Sequence, residues 1–307
     1  MSSVIRVAPL PLPSAPLTEK RDDPVGGILL MLLSVTLFSC SDATAKYLSS
    51  ELPGFEVVWL RYIVFVLMLM PSVLRQRGAP LRSSRPGLQL LRGFCMLGSS
   101  LLFITCLPLL PLADATAIGF VSPLCITALS IPVLGEKVGL RRWLAILVGL
   151  VGVLLVIRPG TSSFQPASIL PILSALSWAA AIVLTRKISG GDGTVTTLLY
   201  TAVSALAVVS LIVPFYWVMP SLRQIGLGLV YGGFASGGQW LVVLAFHRAG
   251  ASVLAPLTYS QLVWATALGF LIFHTVPDGW TLAGAAIIVA SGLYTAHRER
   301  VRAQQSR

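Results

Sequence analysis

The chain has 307 residues, 55% of them hydrophobic and only 11% Asp, Glu, Lys or Arg, with a formal net charge of +11. Soluble domains carry roughly 25% charged residues, so this chain lacks the charge to clothe a water-facing surface, and its mean hydropathy of +0.85 agrees. Apolar windows of about 20 residues place it among polytopic membrane proteins. The positive balance marks a membrane side and not a nucleic-acid partner, because no DNA- or RNA-binding module with interleaved aromatics is present.

Residues 1–24 are proline-rich (SSVIRVAPLPLPSAPLTEKRDDP after the initial Met) and are expected to be disordered and cytoplasmic. They lack a charged stretch followed by a long apolar one, so no cleaved signal peptide is read. Ten apolar segments follow, at about 25–47, 55–73, 88–107, 112–134, 143–157, 168–185, 195–213, 225–245, 251–273 and 280–296. The expected fold class is an all-α integral membrane protein of ten transmembrane helices. The fifth segment is short for a hydrocarbon core of roughly 30 Å.

The basic residues alternate between the connections. Arg75, Arg77, Arg82, Arg85 and Arg92 cluster between and just beyond the second and third segments; Lys137, Arg141 and Arg142 follow the fourth. Arg186 and Lys187 follow the sixth, Arg248 the eighth, and Arg298, Arg300, Arg302 and Arg307 lie in the tail. With Arg6, Lys20 and Arg21, 18 of the 22 basic residues fall on one side. The positive-inside rule then places both termini in the cytoplasm. The four cysteines, Cys40, Cys95, Cys106 and Cys125, lie in apolar segments without a CxxC pair and read as small buried hydrophobes, not metal ligands.

Two stretches resemble each other. Ala113–Gly160, beginning ADATAIGFVSPLCITALSIPVLGEKVGLRRW, and Ala251–Glu299, beginning ASVLAPLTYSQLVWATALGFLIFHTVPDGW, share a small-residue start, a long apolar helix, a short link, a tryptophan and a helix rich in small residues. The chain is thus two halves of five helices. Five is odd, so the second half must sit inverted. The basic link EKVGLRR and the link HTVPDG, without Lys or Arg, agree. Inverted repeats are a common device of secondary transporters, with the substrate site where the halves meet.

At these motifs the sequence resembles the drug/metabolite transporter superfamily, specifically proteins with two EamA-type domains. The resemblance runs over about 25–296 and rests on DATAKYL…LPGFEVVWLRY, PLADATAIGFVSPL and LGEKVGLRRWLAILVGLVGVLLVIRP, in that order. It implies a first repeat at 25–160, a second at 161–297 and a basic cytoplasmic tail at 298–307. It also implies a multi-pass carrier of a bacterial inner membrane, many such carriers being exporters of amino acids or other small metabolites. The second copy has Phe273-His274 where the first has Gly135-Glu136, so any role for Glu136 belongs to the first half alone.

Charge is scarce, so each intramembrane ionisable group is a candidate. Asp42 and Lys46 are spaced i,i+4 and share a helix face toward the external end of the first helix; Arg61 follows early in the second, and Asp114 opens the fourth. They form either a polar vestibule and gate or, for Lys46 and Asp114 especially, side chains snorkelling to headgroups. A working Asp42–Lys46 pair with Arg61 as competitor is expected. Glu136 and Arg141 are read as an inner gate or as a local cap. Trp178, Tyr200, Tyr231, Gln239, Tyr259 and Gln261 form a deeper set able to meet a substrate with polar groups and an apolar body, or else are packing residues. Ser122-Pro123 and Ala255-Pro256 are expected hinges or static kinks.

The expected activity is a secondary transporter that exports a small polar or zwitterionic metabolite, such as an amino acid or an amino-acid-derived metal chelator, by alternating access. Import of a vitamin or nucleoside-like metabolite is the alternative; a membrane enzyme or a scaffold are non-transport readings. No Walker A sequence is present, and His247, His274 and His297 are dispersed, which argues against ATP drive and against catalysis. No cofactor or metal is expected. The expected partners are a small-molecule substrate, the lipid bilayer and, as default coupling ion, protons, with Asp42, Asp114 and Glu136 as acids; nucleic acid is not, and a homodimer is left open.

Overall fold

The computed structural model of the chain describes residues 24–76, 82–135, 140–161, 164–188, 192–249 and 251–305. These are predominantly helical, with no strand among them. The helices are α1 (Pro24–Ser49), α2 (Gly54–Arg75), α3 (Pro86–Cys106), α4 (Leu112–Gly119), α5 (Ser122–Leu134), α6 (Leu140–Ile157), α7 (Ile169–Ile188), α8 (Thr194–Ile212), α9 (Leu222–Arg248), α10 (Ala251–Leu254), α11 (Ser260–Phe273) and α12 (Gly279–Gln305). Eight spans have the length and apolarity to cross a bilayer, one of them combining α4 with α5 and one lying within Pro256–Phe273; α6 and α12 supply two shorter apolar stretches. The result is a ten-span, all-α membrane protein.

Proline and left-handed residues set the boundaries. Pro53 and Pro111 immediately precede α2 and α4, and Pro86 is the first residue of α3. Its missing N–H costs nothing there, since the first-turn donors have no intrahelical partner. The fourth and ninth spans are both broken at mid-length: Phe120 and Val121 separate α4 from α5, and a 3-10 turn over Ala255–Tyr259 separates α10 from α11. Both expected kinks are therefore present, although Pro123 lies in the first turn after its break and Pro256 inside the 3-10 turn. The C-terminal ends of α5 and α11 match too: each is capped by a residue in the left-handed region, Gly135 at φ +71° and His274 at φ +54°. The structural counterpart of Gly135 is thus His274, one position beyond the Phe273 aligned by sequence. Glycine adopts this conformation freely, whereas histidine does so at a cost.

Helix packing repeats under exchange of the halves. Taking α1, α2, α3, α4–α5 and α6 onto α7, α8, α9, α10–α11 and α12, the α1–α9 contact becomes α7–α3, α5–α7 becomes α11–α1, and α2–α9 becomes α8–α3; all six pack. The pairs α2–α8 and α6–α12 map onto themselves and so lie on the pseudo-two-fold axis. In the α6–α12 pair a Cβ on Gly152 would stand 2.8 Å from the Gly284 carbonyl, and one on Gly284 would stand 2.5 Å from the Gly152 carbonyl. Backbones approach so closely only where both residues lack side chains. Because each half crosses five times, the axis lies in the membrane plane and the halves are inverted.

Two groups of helices emerge. One is α1, α9 and α11; the other is α3, α5 and α7. Each draws on both halves. Both termini belong to one end of the bundle, here the terminal end; the opposite end carries the turns after α1, α3, α6, α8 and α11. Cross-links between turns respect this parity. Ser83 and Ser84 meet Asp192 at the terminal end, while Glu51 meets Gln224 and Arg158 meets Asp278 at the opposite end.

Candidate functional site

Arg61 on α2 and Asp42 on α1 lie within electrostatic reach of one another. Each is partly buried inside the bundle. Arg61 donates from one guanidinium nitrogen to the Ser100 hydroxyl on α3 (3.3 Å) and to the Tyr231 hydroxyl on α9 (3.4 Å), so it touches both helix groups. Its guanidinium carbon lies 5.8 Å from the ring centres of Tyr62 and Tyr231. Those rings offer a cation their negative faces. Asp42 accepts from the Gln261 side-chain amide on α11 at 2.9 Å. Among the described residues Asp42 forms no ion pair with Arg61 or Lys46, although the Arg61 charge acts on it through space. Two opposite charges therefore stand within electrostatic reach of one another while each is held by neutral groups.

The expected Asp42–Lys46 pair is replaced by another arrangement. Lys46 does share the Asp42 face of α1, but its ammonium donates to the carbonyls of Leu107 and Leu110 in the turn between α3 and α4. It also lies 5.3 Å from the centre of the Phe273 ring, the last residue of α11. Free carbonyls and the negative pole of the helix dipole make a helix C-terminus a favourable cation site. Lys46 thus ties α1 to the other helix group at the opposite end.

Asp114 on α4 is half-buried, with one carboxylate oxygen buried and unpartnered. It lies within electrostatic reach of Lys46, Arg158 and Asp278. Asp278 accepts from the Thr281 backbone N–H (2.9 Å), capping α12, and pairs through its other oxygen with Arg158. First the Thr281 N–H and then Arg158 hold the Asp278 carboxyl below its ordinary range. Tyr259 meets Phe120 with ring centres 5.1 Å apart; within one position the two occupy equivalent places beside the two helix breaks. Trp178, Tyr200 and Gln239 are half-buried on α7, α8 and α9, away from the Asp42 and Arg61 hydrogen bonds. Glu136 lies outside the described residues, as does the side chain of Arg141. A cleft of about 420 Å³ lined by Trp59, Ser210, Val213, Pro214 and Trp217 opens on the face of α2 opposite Arg61 and holds no charged group.

Sequence reasoning missed several of these partners. Ser100 carries no signal in a chain rich in serine, nothing in the residues around Tyr62 marks it, and the Leu107 and Leu110 carbonyls are backbone. A second polar network was also missed. Arg92, counted with the basic residues of a connection, is only 6% exposed and donates to the Thr185 hydroxyl (2.6 Å) and the Thr197 carbonyl (3.2 Å). One turn earlier the fully buried Gln89 donates to Asp192 (2.8 Å) and to the Thr197 hydroxyl (3.1 Å).

Comparison with known proteins adds the lineage. Residues 25–158 and 165–295 each match the EamA-like transporter family. The chain is 31% identical to an S-adenosylmethionine uptake transporter of Rickettsia prowazekii over 90% of this chain and 94% of that protein. It is 30% identical to a riboflavin transporter of Vibrio cholerae, over 94% and 98% of the two chains. A pseudopaline exporter of Pseudomonas aeruginosa is 31% identical over 86% and 94%. One crystal structure shares the fold with a TM-score of 0.63 at 18% identity, over 90% of this chain and 99% of the other.

Proposed function

The chain belongs to the EamA-like transporter family and is a membrane transporter, not an enzyme; from that premise we propose that it carries a small zwitterionic metabolite with an α-amino-acid head. The observation that supports this is the unpaired charge couple. A buried charge left without a counter-charge is expensive, and Asp42 and Arg61 stand within electrostatic reach without pairing. A ligand with an ammonium and a carboxylate satisfies both at once. Tyr231 and Tyr62 flank the carboxylate side, and Gln261 the ammonium side. Tyr259, Trp178, Tyr200 and Gln239 are proposed to meet the rest of the molecule, Asp114 to belong to the gate opposite the termini, and Glu136 with Arg141 to the gate at the terminal end. S-adenosylmethionine, named in several relatives, has such a head.

Export with protons as coupling ion, from a bacterial cytoplasm with both termini inside, remains the first reading of direction. Import is the second, favoured by relatives named for uptake. Radiolabelled S-adenosylmethionine supplied to proteoliposomes tests the substrate class. The wild type is expected to move it above the level of empty vesicles. Asp42→Asn and Arg61→Gln are each expected to raise the half-saturating concentration roughly tenfold or more, as loss of a charge-assisted hydrogen bond requires. Wild-type kinetics in both variants, or no movement by the wild type, refutes the proposal.

A further inference from the structure

Lys46 has two places to go, and only one is occupied. In this structure its ammonium is held by the Leu107 and Leu110 carbonyls. Those carbonyls sit in the α3–α4 turn, which belongs to the other helix group. When the helix groups part at this end, the turn leaves α1 and takes both acceptors with it. Phe273 sits at the end of α11, within the same group as α1, and a ring face alone is a weak partner for a buried ammonium. The carboxylate of Asp42 lies one helical turn back along the same face of α1, within reach of a lysine side chain. It has no cationic partner of its own here, only the Gln261 amide.

We propose that Lys46 is a tethered stand-in for the substrate's cationic group: it is bound to the Leu107 and Leu110 carbonyls while this end is closed, and it swings back to neutralise Asp42 when this end opens. This rests on the reading that Asp42 receives the substrate's ammonium. The two positions exclude each other, so closure of this end frees Asp42 for substrate and opening takes it away. Affinity is therefore higher when the cavity faces the terminal end than when it faces the opposite end. An empty carrier facing the opposite end buries no unpaired aspartate. That permits return without cargo and hence net transport, not only exchange.

Cys106 reports the motion. It is fully buried, one residue before Leu107, in the same apolar cluster as Ala45 and Leu48 of α1. Parting of the helix groups at this end exposes its thiol. With Cys40, Cys95 and Cys125 replaced by serine, the full chain in nanodiscs without substrate is reacted with a charged methanethiosulfonate, and the rate of Cys106 modification is measured. Asp42→Asn removes the acceptor of the open state and, at the same time, the unpaired anion of the closed state; both effects favour closure. The expected result is a roughly tenfold slower reaction, equivalent to about 1.4 kcal/mol. In a Lys46→Ala background the same Asp42→Asn change is expected to alter the rate less than about twofold. An unchanged or faster rate in the single variant, or equal slowing in both backgrounds, overturns the proposal. Monodisperse elution of each variant establishes that it is folded. Because no substrate is present, failure here leaves the zwitterion reading standing, while failure of the transport test leaves the lysine switch measurable.

Discussion

At the end opposite the termini α4 packs on α11, while at the terminal end their counterparts, the Ala255–Tyr259 turn and α5, make no comparably extensive contact among the described residues. The same asymmetry recurs in weaker contacts. The α1–α3 and α4–α12 contacts are formed, and among the described residues their images, α7–α9 and the 251–259 segment with α6, are weaker. Several of the pairs lacking an image cross between the two helix groups; others, α2–α3 and α1–α2, involve the axial helix α2. Within the groups, α1–α9 and α1–α11 have their images α3–α7 and α5–α7, and the axial pairs α2–α8 and α6–α12 map onto themselves. Nearly identical parts thus pack differently at the two ends, which is what one member of a pair of interconverting conformations looks like. On the expected cytoplasmic placement of the termini, this is the inward-facing member.

The comparison is most severely tested on the axis. The α6–α12 seam belongs to neither end, so damage there must unfold the protein without shifting its state. Gly284→Val places carbon against the Gly152 carbonyl and the Val156 side chain. A cost of about 3 kcal/mol is expected, seen as a fall of roughly 6–12 °C in Tm; a wild-type Tm would show that the seam can part freely.

A smaller loss is expected from the latch within one helix group at the terminal end. Asp192 accepts from the Ser84 N–H and hydroxyl (both 2.8 Å), from Gln89 (2.8 Å) and from Ser83. The Ser83 hydroxyl, followed by Gln89 and Ser84, holds its carboxyl far below the ordinary range. Asp192→Ala leaves buried Gln89 short of a partner and is expected to cost about 1–3 kcal/mol in thermal denaturation. The Cys106 modification rate should stay within about twofold of wild type, because the latch lies inside one helix group. A large change in that rate would mean that the helix groups are not the moving units.

The smallest effect belongs to the surface ion pair at the closed end. Asp278→Asn keeps a cap on α12 but loses Arg158, an exposed pair worth about 0.5 kcal/mol or less. Since the folded state lowers the Asp278 pKa, its contribution is complete above the unfolded value of about 3.9 and is lost as the pH falls through the lower folded value. The Tm difference between wild type and Asp278→Asn should be present at pH 7 and shrink progressively as the pH falls below about 3.9. A difference that survives acidification would assign the loss to the cap.

Much of the architecture was legible because membranes impose strict rules. The ten spans and the inverted halves followed from apolar length and charge alternation, and the broken fourth and ninth spans from Pro123 and Pro256. Arg61 stood out because VVWL precedes it and YIVFVLML follows it. Partnership was less legible. Spacing i,i+4 established that Asp42 and Lys46 share a face, but a face does not choose a partner, and the α3–α4 turn offered backbone acceptors that leave no trace in residue identity. Arg92 was misplaced for the opposite reason: a basic residue near a helix end counts as a loop charge until threonines on two other helices are seen to enclose it.

The self-mapping of the packed pairs has a consequence for how the second conformation is encoded. It requires no new set of interactions, only a relabelling: α5 comes to rest on the Ala255–Tyr259 turn, and α4 withdraws from α11. A change of bulk on α4 and the same change on the 251–259 segment are therefore expected to push a single equilibrium in opposite directions. The resting orientation of the carrier becomes the difference between two nearly equal sums, and small substitutions far from the cavity suffice to reset it.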